Sequence, residues 1–275
     1  MPVFNRLPLT QAILACLRAQ RIDEPLSIIV IDDGSTDGSG EFLNEQSDLH
    51  VLKGDGTLWW GGAIHVGMRY VLENAASTDW VVLVNNDTYV DPSFLQGLLV
   101  LARSQAPAAV GAAIRDLEPP HRLLSIGPRI DAWRLTVGDV LVDSYGNEEA
   151  ISEVTSVDAL SGRGVIYPIA ALRAVRGLRP RWLPHYLADY ELSMRVRKAG
   201  WRLLVSPIVS VQSDEGYGNV YRGGNWRDRF FSVRSPSYLP AQIFFWWEAS
   251  SRWQRVSLPL RLVLFALFPT LRKKL

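Results

Sequence analysis

Three acidic groups in this 275-residue sequence are spaced so that chemistry could be done on them. Asp87 ends the run Trp80–Val84 and its polar tail Asn85-Asn86-Asp87. A lone carboxylate at the carboxyl end of a buried strand can hold Mg²⁺ or Mn²⁺ against a diphosphate, because hard cations take oxygen ligands and share them with phosphates. An Asx-turn that simply closes the strand is the competing reading. Asp32 and Asp33 open the turn Asp32-Asp33-Gly34-Ser35-Thr36-Asp37-Gly38. Their carboxylates can accept hydrogen bonds from a nucleobase or ribose, and Gly34 permits close backbone approach; a capped turn competes. Asp189 and Glu191 fall in the first turn of a helix within His185–Trp201. Acids there complement the helix dipole, or one of them is a general base; Asp189 sits at the loop–helix junction and is the better placed. Trp59 and Trp60 stand between glycine pairs in Gly54–Gly62, where they either wall a sugar pocket or anchor the core.

The elements that must position these groups follow from pattern. Trp80–Val84 is apolar and rich in β-branched residues, the mark of a strand buried on both faces. Asp91 as N-cap and Pro92 at the first helical position predict a helix over 92–104. Leu9, Ile13, Leu14 and Leu17 share one helical face, and Leu26–Ile31 reads as a strand. A helix over 61–74 and a strand over 108–114 continue the alternation. Three or four strand–helix units in about a hundred residues predict a mostly parallel, doubly wound α/β sheet. Pro119-Pro120, Gly127-Pro128 and Gly146-Asn147 then mark turns of an antiparallel insertion between Arg115 and Asp158. Pro168 to Gly177 reads as a helix, strands follow at 202–205 and 208–212, and Ser213–Gly224 has the length and composition of a mobile lid. Met1–Asn5 reads as the end of a strand whose beginning is missing.

Composition is that of an ordinary folded chain, 48% hydrophobic and 21% charged. The single Cys16 excludes an intramolecular disulfide, and the four histidines have no metal-ligand spacing. No signal peptide precedes the first motif, which points to the cytoplasm. The net charge of +1 hides an asymmetry: residues 240–275 hold six Lys or Arg and one acid, leaving a body of −4. A basic tail on an acidic body argues against nucleic acid as partner. Tail arginines interleaved with Trp, Phe and Leu suit a helix lying in a membrane interface; a buried hairpin or a dimer contact is the alternative. The uncharged stretch Leu262–Leu271 is half of the ~20 residues needed to span a bilayer.

Together the motifs resemble the family 2 inverting glycosyltransferases with the GT-A fold, over roughly Pro2 to Gln212. Pro2-Val3-Phe4-Asn5-Arg6 is similar to the end of the first strand, Ile31–Asp37 to the nucleotide turn, and Asn85-Asn86-Asp87 to the metal-binding triplet. Gly162-Arg163-Gly164, then Asp189-Tyr190-Glu191-Leu192 and Arg195, resemble the acceptor side with its catalytic aspartate. The loop Leu58–Gly62 resembles the branch of bacterial rhamnosyl- and galactofuranosyltransferase-like enzymes of surface polysaccharide assembly. The resemblance implies a GT-A domain over 1–224, with a nucleotide-sugar half (1–114) and an acceptor half (115–224), and a membrane-associating helical segment over 225–275.

By that resemblance, Asp32 and Asp33 hold the base and ribose of a dTDP-, UDP- or GDP-linked sugar, Asp87 binds Mg²⁺ or Mn²⁺, and Asn86 supports the metal or the sugar. Pro2, Trp59, Trp60, Gly162, Arg163 and Glu191 line the substrates, and Asp189 takes the proton from the acceptor hydroxyl of a lipid-linked or growing glycan on the inner face of a membrane. Three positions depart from the family pattern: the short first strand, Ala188 where many relatives carry an acid, and Gln212 where many carry a metal-ligating histidine. An inactive nucleotide-binding or membrane-tethering module is a second reading. A nucleotidyltransferase is a third, but Pro2–Leu9 lacks the glycine- and basic-rich phosphate loop expected of one.

Overall fold

The computed structural model describes residues 1–143, 153–214 and 225–268. Its first half alternates strands and helices: β1 (Pro2–Val3), α1 (Leu7–Arg18), β2 (Ile28–Asp32), α2 (Ser39–Asn44), β3 (Leu49–Lys53), α3 (Trp59–Asn74), β4 (Trp80–Leu83), β5 (Thr88–Val90) and α4 (Phe94–Ser104). The second half holds β6 (Ala108–Asp116), β7 (Leu123–Ser125), the hairpin β8 (Pro128–Asp131) with β9 (Thr136–Asp139), α5 (Val140–Asp143), β10 (Thr155–Ser156), β11 (Val165–Pro168), α6 (Ile169–Val175), α7 (Ala188–Lys198) and β12 (Arg202–Ser213). Three helices follow: α8 (Trp226–Phe231), α9 (Leu239–Ala249) and α10 (Arg252–Leu267).

β1, β2 and β3 form a parallel sheet in that order. A second sheet runs β10-β12-β6-β11-β4, with β5 on β12 and β7 on β6. Its β6–β12 pair is parallel, while β11 lies antiparallel between β4 and β6. The expected α/β class and the antiparallel insertion are both present; the second sheet is mixed, because β5, β7, β10 and β11 all pair antiparallel around the parallel β6–β12 pair.

Side-chain alternation divides β6 between two cores. Ala108, Val110 and Ala112 join a core with α1 and α4, whereas Ala109 and Ala113 face the core of α3, α6 and α7. Leu204 and Leu203 split in the same way on β12. Both faces of the sheet are therefore covered by helices, and strand ends carry polar residues to one rim.

Three local expectations shift. α4 starts at Phe94 with Ser93 as N-cap and no side-chain capping bond, so Asp91-Pro92 form the approach and not the first turn. The strands expected at 202–205 and 208–212 are one strand, with a register shift between Ser206 and Ser210. The run Trp80–Val84 is only partly buried over Trp80, Val81 and Val82, because β4 is paired on one edge. The turn at Gly146-Asn147, residues 215–224 of the expected lid, and residues 269–275 of the basic tail lie outside the described residues.

The carboxyl-terminal segment packs as a hairpin on the body. Phe245, Trp246, Leu258 and Phe265 enter the α7 core, and Ser251 and Gln254 form a capping box that starts α10. Arg261, expected among the surface-facing basic residues, is instead 8% exposed. It donates to the carbonyls of Ala132 and Trp133, with its guanidinium over the Trp133 ring, and so ties α10 to the β8–β9 hairpin. Among the described residues no helix is long and apolar enough to cross a membrane.

Candidate active site

The acidic turn after β2, the triplet after β4 and the start of α7 converge through one loop, Gly54–Gly62. Asp33, 4% exposed, accepts from the backbone amides of Gly56 (2.9 Å), Leu58 (3.3 Å) and Trp59 (3.0 Å). Both carboxylate oxygens are thus spent on pinning the tryptophan loop. Asp32 accepts from Ser35 N–H at 3.0 Å and lines a cavity of about 230 Å³ with Gly34, Glu41, Asn44 and Lys53. Of the two acids expected at the nucleotide, Asp32 borders open space and Asp33 holds the wall beside it.

Trp59 starts α3 with φ 57°, a left-handed conformation that is strained for a residue with a large side chain. Its ring lies 5.9 Å from that of His185, and the Arg234 guanidinium sits 5.5 Å from its centroid. Trp60 turns the other way. Its indole donates to Asn85 Oδ1 at 2.8 Å while its ring lies on Gly162, where an added Cβ would come within 2.2 Å of Cζ2. Gly61 allows similar closeness: its N–H donates to Pro184 O at 2.7 Å, and a Cβ there would strike Leu183 O.

The triplet divides its labour. Asn85 holds Trp60, and Asn86, 8% exposed, donates to Thr10 Oγ1 of α1 at 3.2 Å. Asp87 accepts from Arg6 at 3.2 Å through one oxygen; its other oxygen is buried with no partner among the described residues. Asn5 and Arg6 that bring this contact about are both left-handed, at φ 58° and 68°. Pro2 lies in β1 opposite Ile31, and Gln212 lies in β12 opposite Tyr89.

Asp189 stands on the first turn of α7, accepting from Gly162 N–H and Tyr190 N–H, each at 2.9 Å. Burial pushes its carboxyl above the ordinary aspartate value, against the opposing pull of these amides and of Arg163. Leu187, also left-handed at φ 67°, aims the helix start. Ala188 is 1% exposed in the core, which explains its size; an acid at that position would be buried. Glu191, expected at the substrate, lies inside the fold. It is 1% exposed and bound by Arg195 at 2.7 and 2.9 Å, and Arg195 also donates to Val175 O and Gly177 O. Glu191 joins α7 to the end of α6.

Sequence reasoning missed Arg6, His185 and Arg234. Burial, and then Arg6, lower the His185 imidazole to about 4, and its Nδ1 has no partner among the described residues. No spacing rule pairs residue 6 with 87 or 59 with 234; only Arg6 carried a signal, as the last residue of the motif Pro2-Val3-Phe4-Asn5-Arg6.

The glycosyl transferase family 2 model matches residues 1–124, the segment that carries both Asp32-Asp33 and Asp87. Those 124 residues form a glycosyl transferase family 2 domain. This transferase is 26% identical over 258 residues to the N-acetylglucosaminyl-diphospho-decaprenol L-rhamnosyltransferase of Mycobacterium tuberculosis (strains CDC 1551 and H37Rv), covering 87% of this chain and 83% of that protein. Its fold is that of GT-A glycosyltransferases. It superposes on GalNAc-T7, solved with UDP, GalNAc and Mn²⁺, with a TM-score of 0.57 at 13% identity, over 73% of this chain and 40% of that one. Against S. aureus TarS 1-349 in complex with UDP-GlcNAc the TM-score is 0.54 at 15% identity, over 82% and 58% of the two chains. The transferase thus spans about half the length of these solved chains.

Among the described residues there is no cluster of three His, Cys, Asp or Glu that could hold a metal. The buried, partnerless oxygen of Asp87 nonetheless fits a divalent cation that draws its remaining oxygen ligands from a diphosphate.

Proposed function

We propose that the protein transfers a sugar, with inversion, from a nucleoside-diphosphate donor to a hydroxyl of a lipid-linked acceptor. The observation that carries this reading is Asp189: a carboxylate fixed by two backbone amides on a rigid helix start, with its affinity for a proton raised by burial. Asp189 takes the proton of the acceptor hydroxyl as that oxygen bonds to the anomeric carbon. The bond from that carbon to the diphosphate oxygen breaks on the opposite face, and its electron pair leaves with the diphosphate. No covalent enzyme intermediate is required.

Asp32 and the cavity beside it receive the base and ribose, with Lys53 at its edge. Asp87 holds Mg²⁺ or Mn²⁺, which when bound neutralises charge on the departing diphosphate. Arg6 adds positive charge at the same rim. Trp60 and Gly162 set the distance between the Asp87 side and the Asp189 side of the cleft. The mycobacterial relative's name supports a deoxyhexosyl donor such as a rhamnosyl nucleotide and an N-acetylglucosaminyl-diphospho-polyprenol acceptor, a pairing that suits cell-wall polysaccharide assembly.

A lipid-linked acceptor calls for a membrane surface. On α10, Trp253, Val256, Leu260 and Val263 recur on one face and are 56–84% exposed, with Trp247 of α9 beside Arg255. This face rests in the lipid interface on the cytoplasmic side.

The test is turnover of a nucleotide-sugar panel with Mn²⁺ or Mg²⁺, with and without a GlcNAc-diphospho-polyprenol, for the wild type, Asp189→Asn and Asp87→Ala. Metal-dependent release of one nucleoside diphosphate, stimulated by the acceptor and lost in both variants, is expected. Full activity in Asp189→Asn would remove the assigned base.

A further inference from the structure

The backbone on both sides of Arg6 is fastened to the acidic turn after β2. Asn5 N–H donates to Ser35 Oγ at 2.8 Å, and Asn5 Oδ1 accepts from Thr36 N–H at 2.8 Å. Leu7 N–H donates to Asp37 Oδ2 at 2.9 Å. These bonds hold Asn5 and Arg6 in left-handed conformations, φ 58° and 68°, that residues with side chains rarely adopt. Strain of this kind persists only where the surroundings over-determine it, and it gathers at functional sites. Its result is to station the Arg6 guanidinium between two parts of the cleft. The anchoring turn lines the cavity beside Asp32 through Ser35, and Arg6 Nη1 reaches Asp87 Oδ2 at 3.2 Å. The ion pair is enclosed on one side only: the Arg6 side chain is 43% exposed and that of Asp87 11%. As it stands, Asp87 offers no oxygen that is both open and unpaired. Oδ2 carries Arg6, and Oδ1 is buried with no hydrogen-bond partner among the described residues. A cation held by this carboxylate has to take the place of the guanidinium, because the two compete for one negative charge.

We propose that Arg6 changes partners: it neutralises Asp87 until a divalent cation and the donor arrive together, and then turns onto the donor diphosphate. This inference rests on the assignment of Asp87 to the cation and of the cleft beside it to a nucleoside diphosphate. Charge sets the coupling. A cation entering alone would leave Arg6 without its carboxylate and set two positive groups side by side on one rim. The two negative charges of a nucleotide-sugar diphosphate match that surplus, one against the cation on Asp87 and one against the released guanidinium. Arginine suits the second place, because its planar fork bonds phosphate oxygens bidentately. The backbone can stay where it is, since the turn is already bonded to the wall of the Asp32 cavity and only side-chain torsions need change. The neighbouring residues fit a cation that comes with its ligand. Asn85 is spent on Trp60 and Asn86 on Thr10, which leaves Asp87 as the one charged member of the triplet. A hard cation on one carboxylate depends on substrate phosphates for its other ligands.

The test measures equilibrium binding in the full chain and in Arg6→Gly, Arg6→Lys and Asp87→Ala, with Mn²⁺ followed by electron paramagnetic resonance and nucleotides by tryptophan fluorescence. Glycine accepts the left-handed backbone and removes the side chain, whereas lysine keeps the charge without the fork. In Arg6→Gly, Mn²⁺ alone is expected to bind about 10-fold tighter than in wild type. Metal-free UDP, dTDP and GDP should bind that variant about 10-fold more weakly, with affinity for the parent nucleosides unchanged. Arg6→Lys should fall between on both scales. Asp87→Ala leaves the turn intact and removes the competitor, so metal-free diphosphates should bind it about 3-fold tighter. Mn²⁺ affinity in Arg6→Gly no higher than in wild type overturns the exchange, as does weaker diphosphate binding in Asp87→Ala. Either result leaves the transferase reading standing, because that is judged by acceptor-stimulated turnover. Mn²⁺ binding that Asp87→Ala does not alter removes the cation from Asp87, and the exchange with it.

Discussion

Trp60 donates its indole N–H to Asn85 Oδ1 at 2.8 Å while its ring covers Gly162, whose own N–H is bonded to Asp189 at 2.9 Å. One side chain thereby spaces the triplet Asn85-Asn86-Asp87 from Asp189. Trp60→Phe keeps the ring and strands the Asn85 oxygen. It should cost about 1–3 kcal/mol in stability and lower kcat/KM more than KM alone explains. Gly162→Ala should do more damage, since its Cβ must displace the indole. Urea unfolding and steady-state kinetics on both variants check this; unchanged kinetics in Gly162→Ala would show the spacing to be unimportant.

Asp189 titrates above an ordinary aspartate because burial disfavours its charge. The acid limb of the rate profile should therefore lie at higher pH than the usual carboxylate range. The linkage sign follows: the folded form binds the proton more tightly than the unfolded form, so ionised Asp189 destabilises, fully so above its folded pKa. Asp189→Asn should be at least as stable as wild type at pH 7, with the gain fading as pH falls toward 3.8, while turnover drops about 10²–10⁴-fold.

His185 runs the opposite way. Its folded value of about 4 lies below the free 6.5, so the unfolded chain binds more protons between them. Stability should fall as pH drops from 6.5 toward 4, by roughly 3 kcal/mol if the shift is expressed in full. Thermal unfolding across that range should show a shallower decline for His185→Gln.

Glu191 makes a clean structural control for the site. Glu191→Gln leaves the Arg195 guanidinium buried without its anion, and should cost about 3–5 kcal/mol. KM for donor and acceptor in the folded fraction should stay within twofold or so. A large KM change at unaltered stability would return Glu191 to the substrate.

On the α10 face, Trp253→Asp with Val256→Asp should abolish binding to vesicles of mixed zwitterionic and anionic lipid. Unfolding in solution should change by no more than about 0.5 kcal/mol, because both side chains are about four-fifths exposed. Co-sedimentation that survives both changes would move the contact elsewhere.

The alternation of apolar runs with glycine- and acid-rich turns determined the α/β class, because strand and helix periods are local properties of the chain. It also determined that Asp32, Asp87 and Asp189 fall at strand ends or helix starts, since polar residues must interrupt a buried run where it leaves the core. What each acid does there was decided by packing. Asp33 sits beside Asp32 in sequence yet is used up by three amides of a loop more than twenty residues on. Glu191, two residues from Asp189, turns inward to Arg195 because successive helical positions point 100° apart. Arg6 over Asp87 and Arg234 over Trp59 join residues far apart in the chain, and no local pattern encodes such a meeting. Trp80–Val84, too, reads as a central strand from composition alone, and only the tertiary arrangement puts β4 at the end of its sheet among the described residues.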